Sequence, residues 1–293
     1  MSREAEKQMP KKSVLDFAEM KKKGDRITFL TAYDFPMAGF CEKAGLDMIL
    51  VGDSAAMVVH GLSGTLPMTM DQMIQHSQIV RRGAPQTFVI GDMPFLSYQV
   101  SRESAIENAG RFFKEASVDA IKLEGGWRVI KQIEGIVEGG MSVMGHIGLT
   151  PQSSGQLGGF RAQGRTADAA KELIEDALAI EEAGAFALLV EAVPPEVGKI
   201  ITDKLRIPVL SIGAGMYTDG QLLIIGDMLG YFEAFTPKFV KKYANLGEII
   251  EKALREFCED VRAAKFPEAR HCYRMLEGEY AKLQALLEKG LSR

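Results

Sequence analysis

The sequence is poor in cysteine and lacks long apolar runs. Its 293 residues include three widely spaced cysteines, Cys41, Cys258 and Cys272, with no Cys-x-x-Cys pair. Such a set argues against a disulfide scaffold or a zinc ribbon and favours a reducing cytoplasm. The strongest apolar runs, such as 185–190, meet a charged residue after a few positions, whereas a membrane-spanning helix needs about 20 apolar residues.

An excess of positive charge is also missing. Lys and Arg number 35 and Asp and Glu 39, so the formal net charge is −4, and no bulk positive field attracts nucleic acid or anionic lipid. The polar first twelve residues lead into no apolar stretch of the signal-peptide type. We therefore expect a cytoplasmic protein that has neither a membrane nor a nucleic acid as its partner.

Eight short runs of apolar, often β-branched residues punctuate the chain. Each is nearly all apolar rather than alternating, which is typical of a strand buried on both faces of a parallel sheet. The predicted strands are 27–32, 48–52, 87–91, 120–123, 143–147, 187–190, 209–212 and 222–225. Amphipathic segments lie between them, and several end at a glycine, which favours helix termination. The predicted helices are 37–44, 70–82, 102–116, 168–183, 195–205 and 246–264.

This alternation predicts an α/β fold of the closed (β/α)8, or TIM barrel, type, with an open doubly wound sheet as the alternative. No linker divides the chain, so we predict a single domain over 1–293. It comprises an N-terminal helix, a barrel core over 11–265 and a C-terminal helical extension over 266–293. The polar loop 150–166 is longer than a simple connection requires, as lids often are.

Titratable side chains stand at the ends of five consecutive predicted strands. In a parallel barrel these ends converge on the face where barrel enzymes carry their active sites. Burying such a set would be costly without mutual pairing or a bound metal. Its members are Asp53, Asp92, Lys122, Glu124, His146 and Glu191.

The carboxylates of Asp53, Asp92 and Glu124 are the hard oxygen donors that Mg²⁺ prefers. Such a cation polarises a carbonyl group and stabilises the negative charge that develops on it. Lys122 adds positive charge at the same place. Taken alone, an aspartate after a strand is more often a helix cap or a turn former, so the prediction depends on the whole set.

A base is needed to remove a proton next to such a carbonyl group, and either Glu191 or His146 would serve. Burial would raise the pKa of the glutamate toward a useful range. Ser54 is either a hydrogen-bond donor beside the metal or the N-cap of the next segment. The glycine-rich stretch 211–215 is either a ligand-binding loop or a tight turn.

Ten short motifs are spread along the chain. They are Thr-Ala-Tyr-Asp (31–34), Val-Gly-Asp-Ser (51–54), Thr-Leu-Pro (65–67), Gly-Asp-Met-Pro-Phe (91–95), Lys-Leu-Glu-Gly-Gly (122–126), Gly-His-Ile-Gly-Leu-Thr-Pro-Gln (145–152), Glu-Ala-Val-Pro (191–194), Ile-Gly-Ala-Gly (212–215), Asp-Gly-Gln (219–221) and Pro-Lys-Phe-Val-Lys (237–241). In this order they closely resemble the ketopantoate hydroxymethyltransferase family. The resemblance implies a Mg²⁺-dependent barrel, usually a homodecamer. Its reaction would transfer a one-carbon unit from 5,10-methylenetetrahydrofolate to 3-methyl-2-oxobutanoate, forming 2-dehydropantoate for pantothenate biosynthesis.

The resemblance also implies roles by position. Asp53 and Asp92 match direct metal ligands, and Glu124 matches a residue of the metal site. A set of five matches the pocket of the 2-oxo acid substrate: Asp53, Ser54, Asp92, Lys122 and His146.

Glu191 matches the general base of the family, and His146 would lie near the incoming hydroxymethyl group. Two stretches depart from the family pattern: Gly226 stands where many members have His, and 216–218 replaces a stretch that usually contains Pro. We expect both departures to bear on the folate side of the pocket.

Two other functions compete with this interpretation. Barrels of the phosphoenolpyruvate mutase and isocitrate lyase type also hold Mg²⁺, but they typically need a Cys in a mobile loop, and loop 150–166 has none. A catalytically silent scaffold would be expected to lack members of the titratable set, and all are present.

Overall fold

The computed structural model describes residues 11–290, and predictions about 1–10 and 291–293 lie outside that part. The chain divides into two compact units, Met1–Ala244 and Asn245–Arg293. In the first unit, eight parallel strands pair in sequence order and β8 pairs with β1, which closes the barrel and excludes the open sheet. The strands are β1 Ile27–Thr31, β2 Met48–Val51, β3 Phe88–Asp92, β4 Ala120–Glu124, β5 Val143–Gly148, β6 Ala187–Glu191, β7 Val209–Ile212 and β8 Gly220–Leu223.

Helices precede, connect and follow these strands. In the first unit they are α1 Val14–Lys23, α2 Phe35–Lys43, α3 Ala55–Val58, α4 Met70–Gly83, α5 Arg102–Ala116, α6 Ile130–Glu138, α7 Ala167–Glu182, α8 Pro195–Lys204 and α9 Ile225–Leu229. The second unit contains α10 Leu246–Arg262 and α11 Glu279–Glu288. The predicted (β/α)8 barrel with an N-terminal helix and a helical C-terminal segment is thus confirmed. Across residues 11–290, the helices are all too short or too polar to cross a membrane.

Two sequence predictions need correction. The last strand is Gly220–Leu223 rather than 222–225, because Gly220 pairs with Ile27 of β1 whereas Ile225 already begins α9. Helix α6 was missed although its apolar residues Ile130, Ile133, Ile136 and Val137 lie at helical spacing; Gly135 in its middle is a poor helix former. A Cβ on Gly135 would lie 2.7 Å from the flexible side chain of Arg102, so α5 and α6 pack closely at this position.

The domain boundaries stay a prediction. Helix α10, which the sequence prediction assigned to the 11–265 core, belongs to the compact unit Asn245–Arg293.

The barrel interior below the polar end is apolar. The rings of Phe17 from α1 and Phe88 from β3 meet edge to face with their centroids 5.1 Å apart, so α1 contributes to this core. The other buried members of the cluster are Ile27, Phe29, Met48, Leu50, Ile90, Ala120, Met144, Ala187, Leu189, Leu210, Ile212 and Leu222.

Strand register places the titratable residues side by side. Asp92 of β3 is in register with Lys122 of β4, and Glu124 of β4 is in register with His146 of β5. Lys122 and Glu124 are two residues apart, so both side chains project to the same face of their strand. Regular parallel pairing therefore gathers four titratable groups in two adjacent rows at the same end of the barrel.

Candidate active site

A cavity of about 490 Å³ lies over the carboxyl ends of the strands. Asp53, Asp92, Lys122, Glu124, His146 and Glu191 all line it, as does Ser54. The structure therefore brings together every residue of the predicted site. A larger cavity of about 730 Å³ has no carboxylate among its described lining residues, and the chemistry belongs to the smaller one.

Lys122 is the centre of the charged cluster. Its Nζ lies 2.8 Å from Oδ1 of Asp92 and 3.5 Å from Oε1 of Glu124, and it is 2 % exposed. Burial by itself lowers the pKa of Lys122, but the carboxylates of Asp92 and Glu124 outweigh burial, so the pKa is raised. Lys122 is therefore a buried ammonium group.

Asp53 and Asp92 contact each other at the ends of β2 and β3. The backbone N–H of Asp53 donates to Oδ2 of Asp92 over 3.0 Å. Burial raises the pKa of both carboxyl groups; the charge of Glu124 adds to the effect at Asp53, and Lys122 opposes it at Asp92. Two aspartates buried this closely favour a compensating positive charge.

Glu124 is anchored through one of its carboxylate oxygens. Its Oε2 accepts the backbone N–H of Gln152 over 3.0 Å, while its Oε1 has no hydrogen bond. Burial raises the pKa of this carboxyl group, and Lys122 lowers it.

The three carboxylates fit a divalent cation in donor type and in charge. When all three are ionised, their negative charge exceeds the single positive charge of Lys122 by two units. One divalent cation would balance this excess. Oδ1 of Asp92 and Oε1 of Glu124 are buried without hydrogen bonds, although both lie near the Lys122 ammonium. Within residues 11–290, no three His, Cys, Asp or Glu side chains form a preformed metal cage.

His146 connects Lys122 to Glu191. Its Nδ1 lies 3.2 Å from Nζ of Lys122, and its Nε2 lies 3.2 Å from Oε2 of Glu191 without hydrogen-bond alignment. Burial and the Lys122 charge lower the pKa of His146, which favours the neutral ring. A neutral ring that accepts from the Lys122 ammonium at Nδ1 carries its proton on Nε2, on the side of Glu191. Burial raises the pKa of Glu191, and His146 lowers it.

The backbone around Glu191 is tightly constrained. Gly148 is in register with Glu191, and the N–H of Leu149 donates to the Glu191 carbonyl over 2.9 Å. Gly148 has φ +91°, and a Cβ there would collide with that carbonyl oxygen. Ala192, the residue after Glu191, is held at φ 48°. A left-handed non-glycine residue costs about 1–2 kcal/mol, so the surrounding contacts impose this turn.

The side chain of Ser54 does not cap a helix in this structure. It precedes α3, but its side chain makes no capping hydrogen bond. Its hydroxyl instead shares a hydrogen bond of 2.8 Å with the buried Tyr33 hydroxyl.

The departures from the family pattern separate in space. Residues 216–218 do not line the cavity of the candidate site, whereas Asp227, next to Gly226, does. Oδ1 of Asp227 is buried without a hydrogen bond. Burial raises the pKa of Asp227 to about 6, and Lys242 opposes that rise.

Several polar residues in or beside the site received no role from the sequence, among them Gln152, Tyr98 and Asp227. Gln152 ends one of the ten motifs, which was the only signal for it. Tyr98 lies in no motif. The glycine-rich stretch 211–215 has positive φ at Gly213 and Gly215, as a tight turn requires.

Comparison with known proteins identifies the family. The model of the family described as ketopantoate hydroxymethyltransferase matches residues 11–269. The chain belongs to this family. A relative from Alkaliphilus metalliredigens is 63% identical over 267 residues, covering 91% of this chain and 94% of the relative. One from Clostridium beijerinckii is 48% identical over 273 residues, covering 93% and 99%. Both carry the name 3-methyl-2-oxobutanoate hydroxymethyltransferase, and this chain is likewise an enzyme of the transferase class.

Solved structures with similar folds are more distant in sequence. Phosphonopyruvate hydrolase superposes with a TM-score of 0.59 at 12% identity, covering 97% of this chain and 100% of that chain. For 2,3-dimethylmalate lyase the TM-score is 0.56 at 17% identity, with coverage of 95% and 96%. At this identity the likeness supports the barrel fold alone.

Proposed function

We propose that this ketopantoate hydroxymethyltransferase family member transfers a hydroxymethyl group from 5,10-methylenetetrahydrofolate to 3-methyl-2-oxobutanoate, forming 2-dehydropantoate for pantothenate biosynthesis. One observation carries the proposal: a buried cluster of three carboxylates around Lys122, with Glu191 on the far side of His146. This arrangement suits the removal of a proton next to a carbonyl group. The family of the chain and the names of its relatives support the specific substrates.

Asp53, Asp92 and Glu124 would hold Mg²⁺. When bound, this cation would draw electron density from the keto group of the substrate and so acidify the neighbouring carbon. The apolar residues that share the cavity lining, among them Leu50 and Leu189, limit access of water and strengthen electrostatic interactions there.

Lys122 and Ser54 would bind the polar end of the 2-oxo acid. The Lys122 ammonium stabilises negative charge as it develops on the substrate oxygen, without reorganising, because the surrounding carboxylates already hold it in place. The hydroxyl of Ser54 donates to the substrate while Tyr33 fixes its orientation.

Glu191 would act as the general base at C3. Burial strengthens this carboxylate as a base by raising its pKa, and His146 lies beside it, with Nε2 3.2 Å from Oε2. C3 then forms a bond to the methylene carbon of the folate, and water supplies the hydroxyl group. The two folate nitrogens released gain the proton from C3 and one proton from water, so the step is balanced and redox-neutral.

The wider properties of the family belong to the same proposal. We propose a homodecamer located in the cytoplasm, which sedimentation velocity and cell fractionation would test.

A turnover assay tests the reaction directly. The purified chain is incubated with 3-methyl-2-oxobutanoate, tetrahydrofolate, formaldehyde and Mg²⁺, and 2-dehydropantoate is measured by mass spectrometry. We expect product that requires folate, stops on chelation and returns when Mg²⁺ is restored. Absence of product, or cleavage of the 2-oxo acid instead, would refute the proposal and favour the silent scaffold or the lyase.

A further inference from the structure

Gln152 is a buried amide whose hydrogen-bonding groups are all engaged. It lies in the short helical turn Pro151–Ser153 at the start of loop 150–166 and is 5 % exposed. Its Nε2 donates to Oδ2 of Asp53 and to the carbonyl of Met93, each over 2.9 Å. Its Oε1 accepts from the Tyr98 hydroxyl over 2.8 Å. The opposite amide orientation would face a carbonyl oxygen toward two acceptors, so the surroundings require this one.

The same residue contacts a second carboxylate through its backbone. The N–H of Gln152 donates to Oε2 of Glu124 over 3.0 Å. Gln152 thus engages one oxygen of Asp53, 99 positions away, and one oxygen of Glu124, 28 positions away. Gln152 does not contact the other oxygen of Asp53, Oδ1. Oε1 of Glu124 is buried without a hydrogen bond, with Nζ of Lys122 and Nδ1 of His146 each 3.5 Å away.

We propose that Gln152 is a positioning residue for the divalent cation, which orients Asp53 and Glu124 so that one oxygen of each is free to bind metal. Outer hydrogen-bond partners commonly fix the carboxylates of metal sites in this way. The inference rests on one part of the proposed function, namely that the site binds a divalent cation. This role would also link loop 150–166 to the metal site, because Gln152 lies in the first turn of the loop and contacts two of the carboxylates.

Metal affinity measured without either substrate tests this role. Mn²⁺ is titrated into the full chain, and free Mn²⁺ is followed by electron paramagnetic resonance. Gln152→Met keeps a side chain of similar length and retains the backbone N–H that donates to Glu124. It loses only the side-chain amide. We expect its Kd for Mn²⁺ to rise by about 10- to 100-fold. Gln156→Met, an exposed position in the same loop, is the matched control and should stay within about twofold of the unaltered chain.

Tyr98→Phe provides a second variant that keeps the amide but removes its anchor. The Tyr98 hydroxyl donates to Gln152 and accepts the Glu124 N–H over 3.1 Å, so we expect a smaller rise in Kd. In the double variant, the two effects should be less than additive. A purely structural role for Gln152 would lower the unfolding temperature without changing the Mn²⁺ Kd of the folded protein.

The outcomes separate this inference from the reaction. Folded Gln152→Met with unchanged Mn²⁺ affinity would overturn it. If that variant does not fold, unchanged affinity in Tyr98→Phe would overturn it. Failure of the unaltered chain to bind Mn²⁺ would remove both the cation and the role of Gln152. The unaltered chain could bind Mn²⁺ but form no 2-dehydropantoate. Weaker Mn²⁺ binding in the variants would then support the positioning role, and only the proposed reaction would be refuted.

Discussion

The backbone N–H of Asp53 donates a hydrogen bond of 3.0 Å to Oδ2 of Asp92, a residue 39 positions further along the chain. The contact joins the ends of β2 and β3 and sets two carboxylates beside one another. Both are buried, and burial raises the pKa of each. Keeping both ionised requires nearby positive charge, of which Lys122 supplies only one unit.

Replacing Asp92 should therefore remove metal binding without unfolding the barrel. We expect Asp92→Ala to lose measurable Mg²⁺ binding by calorimetry and to lower turnover by at least about 100-fold, since a proposed direct ligand is removed. Its circular dichroism spectrum should be unchanged, because the substitution lowers the negative charge of an over-charged cluster. Asp71→Asn is the control, since its carboxylate is exposed and pairs with Arg111. Normal Mg²⁺-dependent turnover in Asp92→Ala would contradict the ligand assignment.

Proton removal should be separable from substrate binding at Glu191. In Glu191→Gln we expect exchange of the C3 proton of 3-methyl-2-oxobutanoate, followed by NMR in deuterated water, to fall by about 10²- to 10⁴-fold. The affinity for the 2-oxo acid should change little, because several other polar side chains line the cavity and would still bind the substrate. Glu196→Gln, on the exposed part of α8, should exchange normally. Normal exchange in Glu191→Gln would make His146 the first candidate for the base.

The backbone turn at Gly148 should affect activity through Glu191. A methyl group at 148 would collide with the carbonyl of Glu191, and Gly158 offers a control with φ +73° and open space around it. Both alanine variants incur about 1–2 kcal/mol for positive φ. Only Gly148→Ala should also lower kcat/KM, by about tenfold or more, because the base is displaced. Equal activity of the two variants would show that this contact does not position the base.

Asp227 should make stability depend on pH. Its folded pKa of about 6 lies above the ordinary value of 3.8, so the folded state holds this proton more tightly than the unfolded state does. The carboxyl group therefore reduces stability increasingly as pH rises from about 4 to about 6, and the full penalty remains above that range.

Asp227→Asn should remove this penalty. We expect a gain of about 1–2 kcal/mol in unfolding free energy at pH 8, less at pH 5. Urea unfolding at both pH values, with the unaltered chain as reference, measures the difference. A gain that is equal at the two pH values would show that the effect does not come from the carboxyl proton.

Much of the site could be predicted because parallel barrels follow simple geometry. Three consecutive apolar runs predicted neighbouring strands whose ends converge, and they carry Asp92, the pair Lys122 and Glu124, and His146. The strand register then places Asp92 beside Lys122 and Glu124 beside His146. The motifs, read together, identified the family from the amino-acid sequence alone. The last strand was misplaced by two residues because apolar character continues through Ile224 into α9.

The amino-acid sequence by itself determined the alternation of strands and helices, the residue types at the strand ends and the family, since these depend on local pattern and residue order. Only the tertiary structure decided which oxygens are engaged: Gln152 contacts Asp53 across 99 positions, and His146 lies between Lys122 and Glu191. Local propensity carries no information about such contacts, because they depend on how distant strands pair and on how loop 150–166 packs against the strand ends.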